Sequence, residues 1–220
     1  RFLDIILCQS DRHYLRTLNQ YNRVVRERNQ LLFYIGKGES HPDELEFWDD
    51  QLISLGSYII EKRQELSQFL NQKITHYYQS TSGNSEKVKI SYKSNITPEK
   101  FLQTLQSERS REIKYTSTLF GPHRDELLFT LNSHPLDANG SRGECRSFVL
   151  AIKLSEIDYL TESSGSQPVL LLDDVFSELD HNRRHRLTDI IKNHQTIITT
   201  TDLDFIDAKI IKSAKIINLK

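Results

Sequence analysis

The first part of the chain carries apolar side chains at helical spacing. The first series, between residues 11 and 34, comprises Tyr14, Leu18, Tyr21, Val25 and Leu32. These residues are spaced in steps of four and three, and Arg28 interrupts the series. Within residues 43–79, a second series comprises Leu45, Trp48, Leu52, Leu55, Ile59, Leu66 and Leu70. Such spacing is typical of helices that pack against other helices. Because a short glycine-containing stretch at 35–38 separates the two series, we predict an antiparallel helical hairpin.

The segment after the hairpin combines a turn, a strand and a helix. Residues 80–85 are polar and contain a glycine, which indicates a turn. Val88, Ile90 and Tyr92 then alternate with polar residues as in a short strand. Thr97 followed by Pro98 predicts the start of a helix that ends at about residue 113. The first half of the chain is therefore predicted to be mostly helical.

Strands alternate with helices past residue 115. An alternating strand is predicted at 127–131, with helices at 147–160 and 187–192. Further strands are predicted at 169–172, 196–200 and 216–219, and the first of these is fully apolar, as in strands buried on both faces of a parallel sheet. This order predicts the α/β class. We place the boundary near residue 115, with a helical domain at 1–115 and an α/β domain at 116–220.

Composition excludes several classes of protein. Of the 220 residues, 37% are hydrophobic and 27% are charged, which is typical of a globular chain and not of a disordered one. The longest apolar run is far shorter than the roughly 20 residues needed to span a bilayer, so no membrane partner is expected. Cys8 and Cys145 lie too far apart in sequence to suggest a disulfide framework or a zinc site. The natural location is a reducing cytoplasm.

The net charge of −1 does not indicate a general affinity for polyanions, but arginines are concentrated near the N-terminus. Arg12, Arg16 and Arg23 would share one face of the first helix of the hairpin. A basic stripe of this kind can follow the phosphates of DNA. A solvated helix face explains the same pattern equally well, so both interpretations stay open.

Two adjacent carboxylates, Asp173 and Asp174, follow the apolar strand at 169–172. In open α/β sheets the ligand site lies at the carboxyl ends of the strands. Two carboxylates there repel each other unless a cation neutralises them, and Mg²⁺ bound to nucleotide phosphates has that role in phosphate-cleaving sites. The alternative is that one aspartate only caps the following turn. The next residues include Ser177 and Asp180, and Asp180 is predicted to cap a helix that begins near residue 182.

A small-residue segment, residues 140–146, opens a helix about 30 residues before the acidic pair. It contains Ser141, Gly143 and Arg146. Small residues at a helix N-terminus leave backbone N–H groups accessible to an anion, which the helix dipole also attracts. An ordinary helix-entry turn is the alternative.

Taken together, these segments resemble a known class of ATPase. The strand, the acidic pair and Ser-Glu-Leu-Asp at 177–180 look like the Walker B strand and D-loop of ATP-binding-cassette (ABC) ATPases, and residues 140–146 look like the signature motif. The resemblance narrows to the RecF family through Gly-Pro-His-Arg-Asp at 121–125, Ser141-x-Gly143-x-x-Arg146, the helix after it, and the threonines at 199–201. Residues 1–4 and the asparagines and arginines at 22–29 resemble the family's arm domain. Arg142, Glu144 and Cys145 depart from the family pattern.

The resemblance implies an α/β fold: the C-terminal lobe of an ABC-type ATPase head with a mostly helical arm. It also implies that two heads sandwich ATP between them. Asp173 would hold Mg²⁺ indirectly and Asp174 would polarise the attacking water. Ser141, Gly143 and Arg146 would form the signature that faces the γ-phosphate of the partner's nucleotide. The remaining residues assigned to the nucleotide site by resemblance are Ser177, Asp180, Thr200 and Thr201.

The function implied by the resemblance is ATP-dependent DNA binding in recombinational repair and replication-gap processing in the bacterial cytoplasm. The partners would be DNA, an ATP-dependent second copy, RecO, RecR and the RecA recombinase. The chain contains no Gly-x-x-x-x-Gly-Lys-[Ser/Thr] loop, since Leu31 stands where the first glycine before Gly36-Lys37 should be. We therefore expect a fragment that does not hydrolyse ATP alone. Alternatives are another SMC-like or Rad50-like ABC ATPase and a non-catalytic DNA-binding or scaffold module.

Overall fold

The computed structural model describes residues 1–218. Within them the helices are α1 Phe2–Ser10, α2 Arg12–Gly36, α3 Leu45–Ser82, α4 Phe101–Tyr115, α5 Leu136–Asn139, α6 Arg142–Ser164, α7 His181–Ile191 and α8 Ala208–Ser213. The strands are β1 Val88–Lys93, β2 Glu126–Leu131, β3 His134–Pro135, β4 Leu170–Asp173 and β5 Thr196–Thr199. One sheet has the order β1-β2-β3, and β4 and β5 form a second sheet.

The chain divides into two compact units. Unit one contains residues 1–71 and 90–130, and unit two contains residues 72–89 and the chain from residue 131 onward. The predicted boundary near residue 115 lies inside unit one, at the end of α4. Assignment of residues 1–115 to an arm domain and 116–220 to an ATPase domain stays a prediction.

The two long helices of unit one pack antiparallel, as the hydrophobic pattern predicts. The N-terminal end of α2 contacts the middle of α3, and residues later in α2 contact residues nearer the start of α3. The pairs are Asp11 with Tyr58 at 3.0 Å, Arg28 with Asp49 at 2.8 Å, and Leu32 with Leu45 in one apolar cluster. The predicted hairpin is confirmed.

The buried face of α2 has a different register from the predicted one. Its buried positions are Tyr14, Thr17, Tyr21, Val24, Arg28, Leu32 and Ile35. Leu18 and Val25, which the pattern places on the seam, are only half-buried. Arg28 was predicted to interrupt the seam, and this was wrong: it occupies a seam position and is fully buried.

The Arg28 guanidinium is buried because each of its nitrogens has a partner. Nε donates to Asp49 Oδ1 at 2.8 Å, Nη2 to Glu112 Oε2 at 2.6 Å, and Nη1 to Thr118 Oγ1 at 3.0 Å. Buried charges are tolerated when they are paired and fully hydrogen-bonded. The arginine thereby joins α2, α3, α4 and the loop that follows α4.

The Gly-Pro-His-Arg-Asp segment is held within unit one by hydrogen bonds. His123 Nδ1 lies 2.7 Å from Tyr21 Oη, and His123 Nε2 lies 3.0 Å from the Thr118 carbonyl oxygen. Gly121 has a φ of 123°, and a Cβ there would collide with the Tyr21 hydroxyl. Asp125 Oδ1 accepts from the Asn95 backbone N–H at 2.8 Å. These contacts give the segment a structural role against α2.

The core of unit two lies between the β4–β5 sheet and its helices. Leu172 of β4 is buried with Leu150 of α6 and Leu187 of α7. The two strands are parallel, with Leu170 opposite Thr196 and Asp173 opposite Thr199. The predicted α/β class is confirmed, and the parallel pair brings the carboxyl ends of both strands to one edge.

Two predictions for unit two fail in detail. The strand predicted to be buried on both faces is buried on one, since Leu172 is 7% exposed and Leu171 is 69% exposed. The last strand, predicted at 216–219, has no regular structure at residues 216–218, and Leu219 lies outside the described residues. Helices α1 and α8 were not predicted from the hydrophobic pattern, because each spans less than three turns.

Candidate functional site

The acidic pair lies at the carboxyl edge of the β4–β5 sheet. Asp173 is the last residue of β4, and Asp174 begins the turn that follows. Because β5 is parallel to β4 and ends at Thr199, the threonine lies directly beside the acidic pair. This is the edge at which open α/β sheets bind ligands.

Thr199 is the neighbour that holds both aspartates in place. Its hydroxyl donates to Asp173 Oδ1 at 2.5 Å. The Asp174 backbone N–H donates to the Thr199 hydroxyl at 3.0 Å and to its carbonyl oxygen at 3.2 Å. Sequence reasoning assigned Thr200 and Thr201 instead. The parallel register, which a single sequence does not reveal, brings Thr199 to this position.

Asp174 has two features that are unusual for a carboxylate in a turn. Its backbone is left-handed, with a φ of 50°, which costs a residue with a Cβ roughly 1–2 kcal/mol. Its Oδ1 is buried and has no hydrogen-bond partner within the described residues. An uncompensated buried carboxylate oxygen is costly, so a group that donates to it or coordinates it would be stabilised there.

The turn after the acidic pair connects directly to α7. The Ser177 hydroxyl donates to the Asp174 carbonyl oxygen at 2.8 Å, which holds the turn closed. Asp180 caps α7 and accepts from the Arg183 backbone N–H at 2.9 Å. That hydrogen bond is the largest of the causes that lower the pKa of the Asp180 carboxyl. The predicted cap is therefore confirmed, with the helix beginning at His181.

Ser141 begins α6 with a capping box. The Glu144 backbone N–H donates to Ser141 Oγ at 3.3 Å, and the Ser141 backbone N–H donates to Glu144 Oε2 at 2.6 Å. This reciprocal pair satisfies two N–H groups at the helix start. Gly143 follows in the first turn. Glu144, which departs from the family pattern, thus stabilises the start of α6 by accepting from the Ser141 backbone N–H.

Arg146 contacts the turn after the acidic pair. Its Nη1 donates to the Glu178 carbonyl oxygen at 2.7 Å, and its Nε lies 3.5 Å from the Glu178 carboxylate. Helix α6 and the turn after the acidic pair are therefore joined within unit two. The direct nucleotide contact predicted for Arg146 stays a prediction.

Other predicted residues lie outside this cluster of contacts. Thr200 accepts from the Asp202 backbone N–H at 3.3 Å and donates to its carbonyl oxygen at 2.8 Å, while Thr201 is exposed. Arg12, Arg16 and Arg23 lie on α2 in unit one, and all three are exposed. Their exposure agrees with a DNA-binding stripe and equally with a solvated face.

The donor set at the acidic edge fits Mg²⁺. Asp173 and Asp174 offer carboxylate oxygens, which are the ligands that Mg²⁺ prefers, and Mg²⁺ sites commonly use one or two carboxylates with substrate phosphates and water completing the shell. The unpartnered Asp174 Oδ1 agrees with such a ligand or with a bound water. Within residues 1–218 there is no group of three or more His, Cys, Asp or Glu side chains that could hold a metal ion. A cation bound by Asp173 and Asp174 would therefore need further ligands, such as phosphate oxygens or water.

Comparison with known proteins identifies the family. A DNA replication and repair protein RecF from Agathobacter rectalis is 42% identical over 204 residues, which are 93% of this chain and 56% of that protein. A RecF protein from a Cyanothece species is 39% identical over an alignment of 229 positions, which covers 99% of this chain and 61% of that protein. The chain belongs to the RecF family. No protein-family model matches it.

Solved RecF structures have the same fold. The recombination mediator RecF with ATP, described as part of the RecFOR pathway, superposes with a TM-score of 0.83 at 33% identity, covering 92% of this chain and 57% of that one. A second RecF structure, described with an ATP analogue, gives a TM-score of 0.84 at 32% identity, with coverages of 94% and 58%.

The RecF-family chain spans a little over half the length of the relatives it matches. The matched portion covers 56% of the Agathobacter protein and 57% of the ATP-containing structure. Across residues 1–218, no helix combines the length and apolar character needed to cross a membrane.

Proposed function

We propose that the full-length protein containing this chain is an ATP-dependent DNA-binding protein of recombinational repair. In this proposal two copies associate around ATP and Mg²⁺, and ATP hydrolysis releases them. The supporting observation is the joining of the acidic turn to the signature helix within unit two, through Arg146 and Glu178. A RecF relative that superposes closely on this chain is described with ATP, and this agrees with the proposal.

Each residue of the proposed site has a role that follows from its contacts. Asp173, held by Thr199, would hold Mg²⁺ indirectly, and Asp174, whose Oδ1 has no partner within the described residues, would orient the attacking water. Mg²⁺, when bound, supplies charge stabilisation at the transferring phosphate. Ser141 and Gly143 present the N-terminus of α6 to the γ-phosphate of the partner's nucleotide, which favours the dimer only while that phosphate is present.

The turn from Ser177 to Asp180 lines the dimer interface in this proposal. Ser177 and Asp180 are fixed by the Asp174 carbonyl oxygen and by α7, so the turn is preorganised for a contact across the interface. Arg146 supports the same turn from α6 through Glu178. Thr200 and Thr201 follow the end of β5, and they are assigned to the nucleotide site by resemblance alone.

The exposed face of the β4–β5 sheet supports the view that more of the ATPase head covers this chain. Leu171 and Ile197 are register partners on that face, and they are 69% and 57% exposed. Large adjoining apolar side chains on a sheet face are usually covered in a native protein. We propose that the part of the head carrying the phosphate-binding loop provides this cover.

The proposal places the protein at replication gaps in the bacterial cytoplasm, together with RecO, RecR and RecA. DNA contacts are assigned to the exposed arginines of α2. Replacement of all three arginines by glutamine should weaken DNA binding. The slope of the logarithm of the affinity against the logarithm of the salt concentration should become shallower by about 0.9 for each phosphate that is no longer neutralised. Fluorescence anisotropy on gapped DNA at several salt concentrations measures both. The residues replaced are Arg12, Arg16 and Arg23.

A matched control replaces three exposed lysines near the C-terminus by glutamine. It makes the same change in net charge, so it reports any loss of affinity that is due to charge alone. The control residues are Lys209, Lys212 and Lys215. Equal losses in both triple variants would refute the assignment of DNA contacts to α2.

The decisive test of the nucleotide mechanism measures mass in solution. The full-length protein carrying Asp174→Asn, which slows hydrolysis, is studied by light scattering with and without Mg-ATP. We expect a dimer with Mg-ATP and a monomer without it. Adding Ser141→Arg should abolish the dimer, because a long cationic side chain then fills the space of the γ-phosphate contact. Asp50→Asn, an exposed carboxylate on α3, is the control for the charge change at Asp174.

The outcomes of this experiment separate the candidate functions. A mass that does not respond to ATP would refute the composite-site mechanism and favour a DNA-binding or scaffold module. A dimer that forms equally well with Ser141→Arg would show that the α6 N-terminus does not face the nucleotide.

A further inference from the structure

Three arginines near the start of α7 contact parts of unit two outside that helix. Arg183 Nε donates to Ser147 Oγ on α6 at 2.9 Å. Arg184 Nε donates to the Phe176 carbonyl oxygen at 2.8 Å, and Arg186 Nη1 lies 3.3 Å from the Thr81 carbonyl oxygen. These arginines therefore make internal contacts within unit two.

Arg183 is distinguished by the two segments that it joins. Besides its contact with Ser147, its Nη1 pairs with the Asp180 carboxylate. Asp180 belongs to the turn after the acidic pair, and Ser147 lies on the signature helix. The Arg183 guanidinium therefore bridges the turn at 177–180 and α6. Both segments lie in the proposed dimer interface. The planar guanidinium has donors in fixed directions, so it holds two acceptors at a defined separation.

The burial of Ser147 and the partial burial of Arg183 make their contact a strong link between the two segments. Ser147 is fully buried, so its hydroxyl cannot exchange this donor for bulk water without cost. Arg183 itself is only 23% exposed at its side chain. The other link between the two segments, Arg146 with Glu178, has side chains that are 48% and 63% exposed. Exposed ion pairs contribute little, and Asp180 is itself 50% exposed, so the strength of the Arg183 link rests on its hydrogen bond to the buried Ser147.

The guanidinium of Arg183 also accounts for a glycine in the signature. A Cβ built on Gly143 would lie 3.3 Å from Arg183 Nη2 and 3.6 Å from Nη1. The shorter of these separations is tighter than ordinary van der Waals contact. A Cβ at position 143 would therefore require the Arg183 guanidinium to shift by a few tenths of an ångström. Gly143 thus serves the internal contact as well as any contact with a ligand.

We propose that Arg183 is a positioning residue, which holds the turn at 177–180 against the first turns of α6 so that both meet the partner head as one rigid body. This inference rests on the proposed ATP-dependent dimer. Arg183 does not touch nucleotide in this proposal. Its loss leaves the affinity of a single copy for ATP intact and weakens the association of two copies.

The test compares variants of the full-length protein in the Asp174→Asn background. Dimerisation is measured by light scattering or sedimentation over a range of protein concentrations in Mg-ATP, and ATP affinity is measured with a fluorescent ATP analogue at concentrations where the protein is monomeric. Arg183→Ala should weaken dimerisation by about tenfold to a hundredfold, as expected for loss of hydrogen bonds from a charged donor. ATP affinity of the monomer should change less than about twofold.

Two further variants test the geometry. Arg183→Lys keeps the charge and loses the fork, so it should restore dimerisation only in part. Ser147→Ala removes one acceptor and should give an intermediate loss that does not add to that of Arg183→Ala, because both changes break the same contact. His185→Ala on the exposed side of α7 is the control, and it should behave as the parent does.

The possible results distinguish failure of this inference from failure of the proposed function. If the parent itself does not dimerise with Mg-ATP, the proposed function fails. If the parent dimerises and Arg183→Ala dimerises equally well, the role of Arg183 is overturned. A parallel loss of monomer ATP affinity in Arg183→Ala and Arg183→Lys would show general disruption of the fold and would also overturn it.

Discussion

Replacement of Arg28 by methionine gives the sharpest test of what holds unit one together. Methionine keeps much of the side-chain length and apolar volume, so the main loss is the charge and its hydrogen bonds. Asp49 would retain Arg109, whose Nη2 donates to Asp49 Oδ2 at 2.9 Å. Glu112, which is fully buried, would retain only the Leu119 backbone N–H at 2.7 Å.

The expected loss follows from this imbalance. Removal of one partner from a buried ion pair typically costs about 3–5 kcal/mol, because the other charge is left in a medium of low polarity. Since a chain of this size shifts its melting temperature by roughly 2–4 °C for each kcal/mol, the variant should melt about 6–20 °C lower. Thermal unfolding followed by circular dichroism, with urea titration for the free energy of unfolding, measures both quantities.

The control is a second arginine on the same helix. Arg26 is exposed, and Arg26→Met should change the free energy of unfolding by no more than about 0.5 kcal/mol. Adding Glu112→Gln to Arg28→Met removes the stranded charge and should recover part of the loss. Equal stability of Arg28→Met and Arg26→Met would refute the conclusion that the buried network stabilises unit one.

Three further predictions follow from individual contacts. Burial lowers the pKa of His123 below 6.5. The contribution of His123 to stability is therefore present above that pH and is lost as the pH falls through the folded-state pKa. Between pH 7.5 and 5.5, the melting temperature should fall less in His123→Gln than in the unsubstituted protein. Gly56→Ala should cost about 1–3 kcal/mol in urea unfolding, since its Cβ would lie 2.9 Å from Phe101 Cε1. Thr199→Val should lower the ATPase rate of the full-length protein about tenfold, whereas Thr201→Val should not, because the Thr199 hydroxyl donates to Asp173 while Thr201 is exposed.

Sequence periodicity predicts the helical hairpin well because both helices are long and amphipathic. It fails at the register of α2 for a physical reason. Thr17 and Val24 are buried where Leu18 and Val25 were expected, and a polar Thr17 hides the true seam from a count of apolar residues. The buried stripe passes through Arg28, whose partners lie 21 and 84 residues away in sequence. Without those partners, an arginine is correctly expected to be exposed.

The candidate site shows the same division between local and distant signals. The cap at Asp180 and the acidic pair after a strand are local patterns, so the sequence predicts both. Thr199 was missed because its contact with Asp173 depends on strand register. The two-sided burial predicted for β4 fails at Leu171, since within the described residues no element covers that face of the sheet.

The basic stretches of the chain finally differ in what their charges contact. In α7 the arginines donate to Ser147, to Asp180 and to backbone carbonyl oxygens, so their donors are engaged inside unit two. In α2 the stripe at Arg12, Arg16 and Arg23 is exposed. Composition alone does not distinguish the two stretches as candidate DNA-binding surfaces. Because binding to DNA phosphates requires accessible cations, the contacts favour the stripe on α2. The contacts of Arg183 on α7 join the turn after the acidic pair to α6.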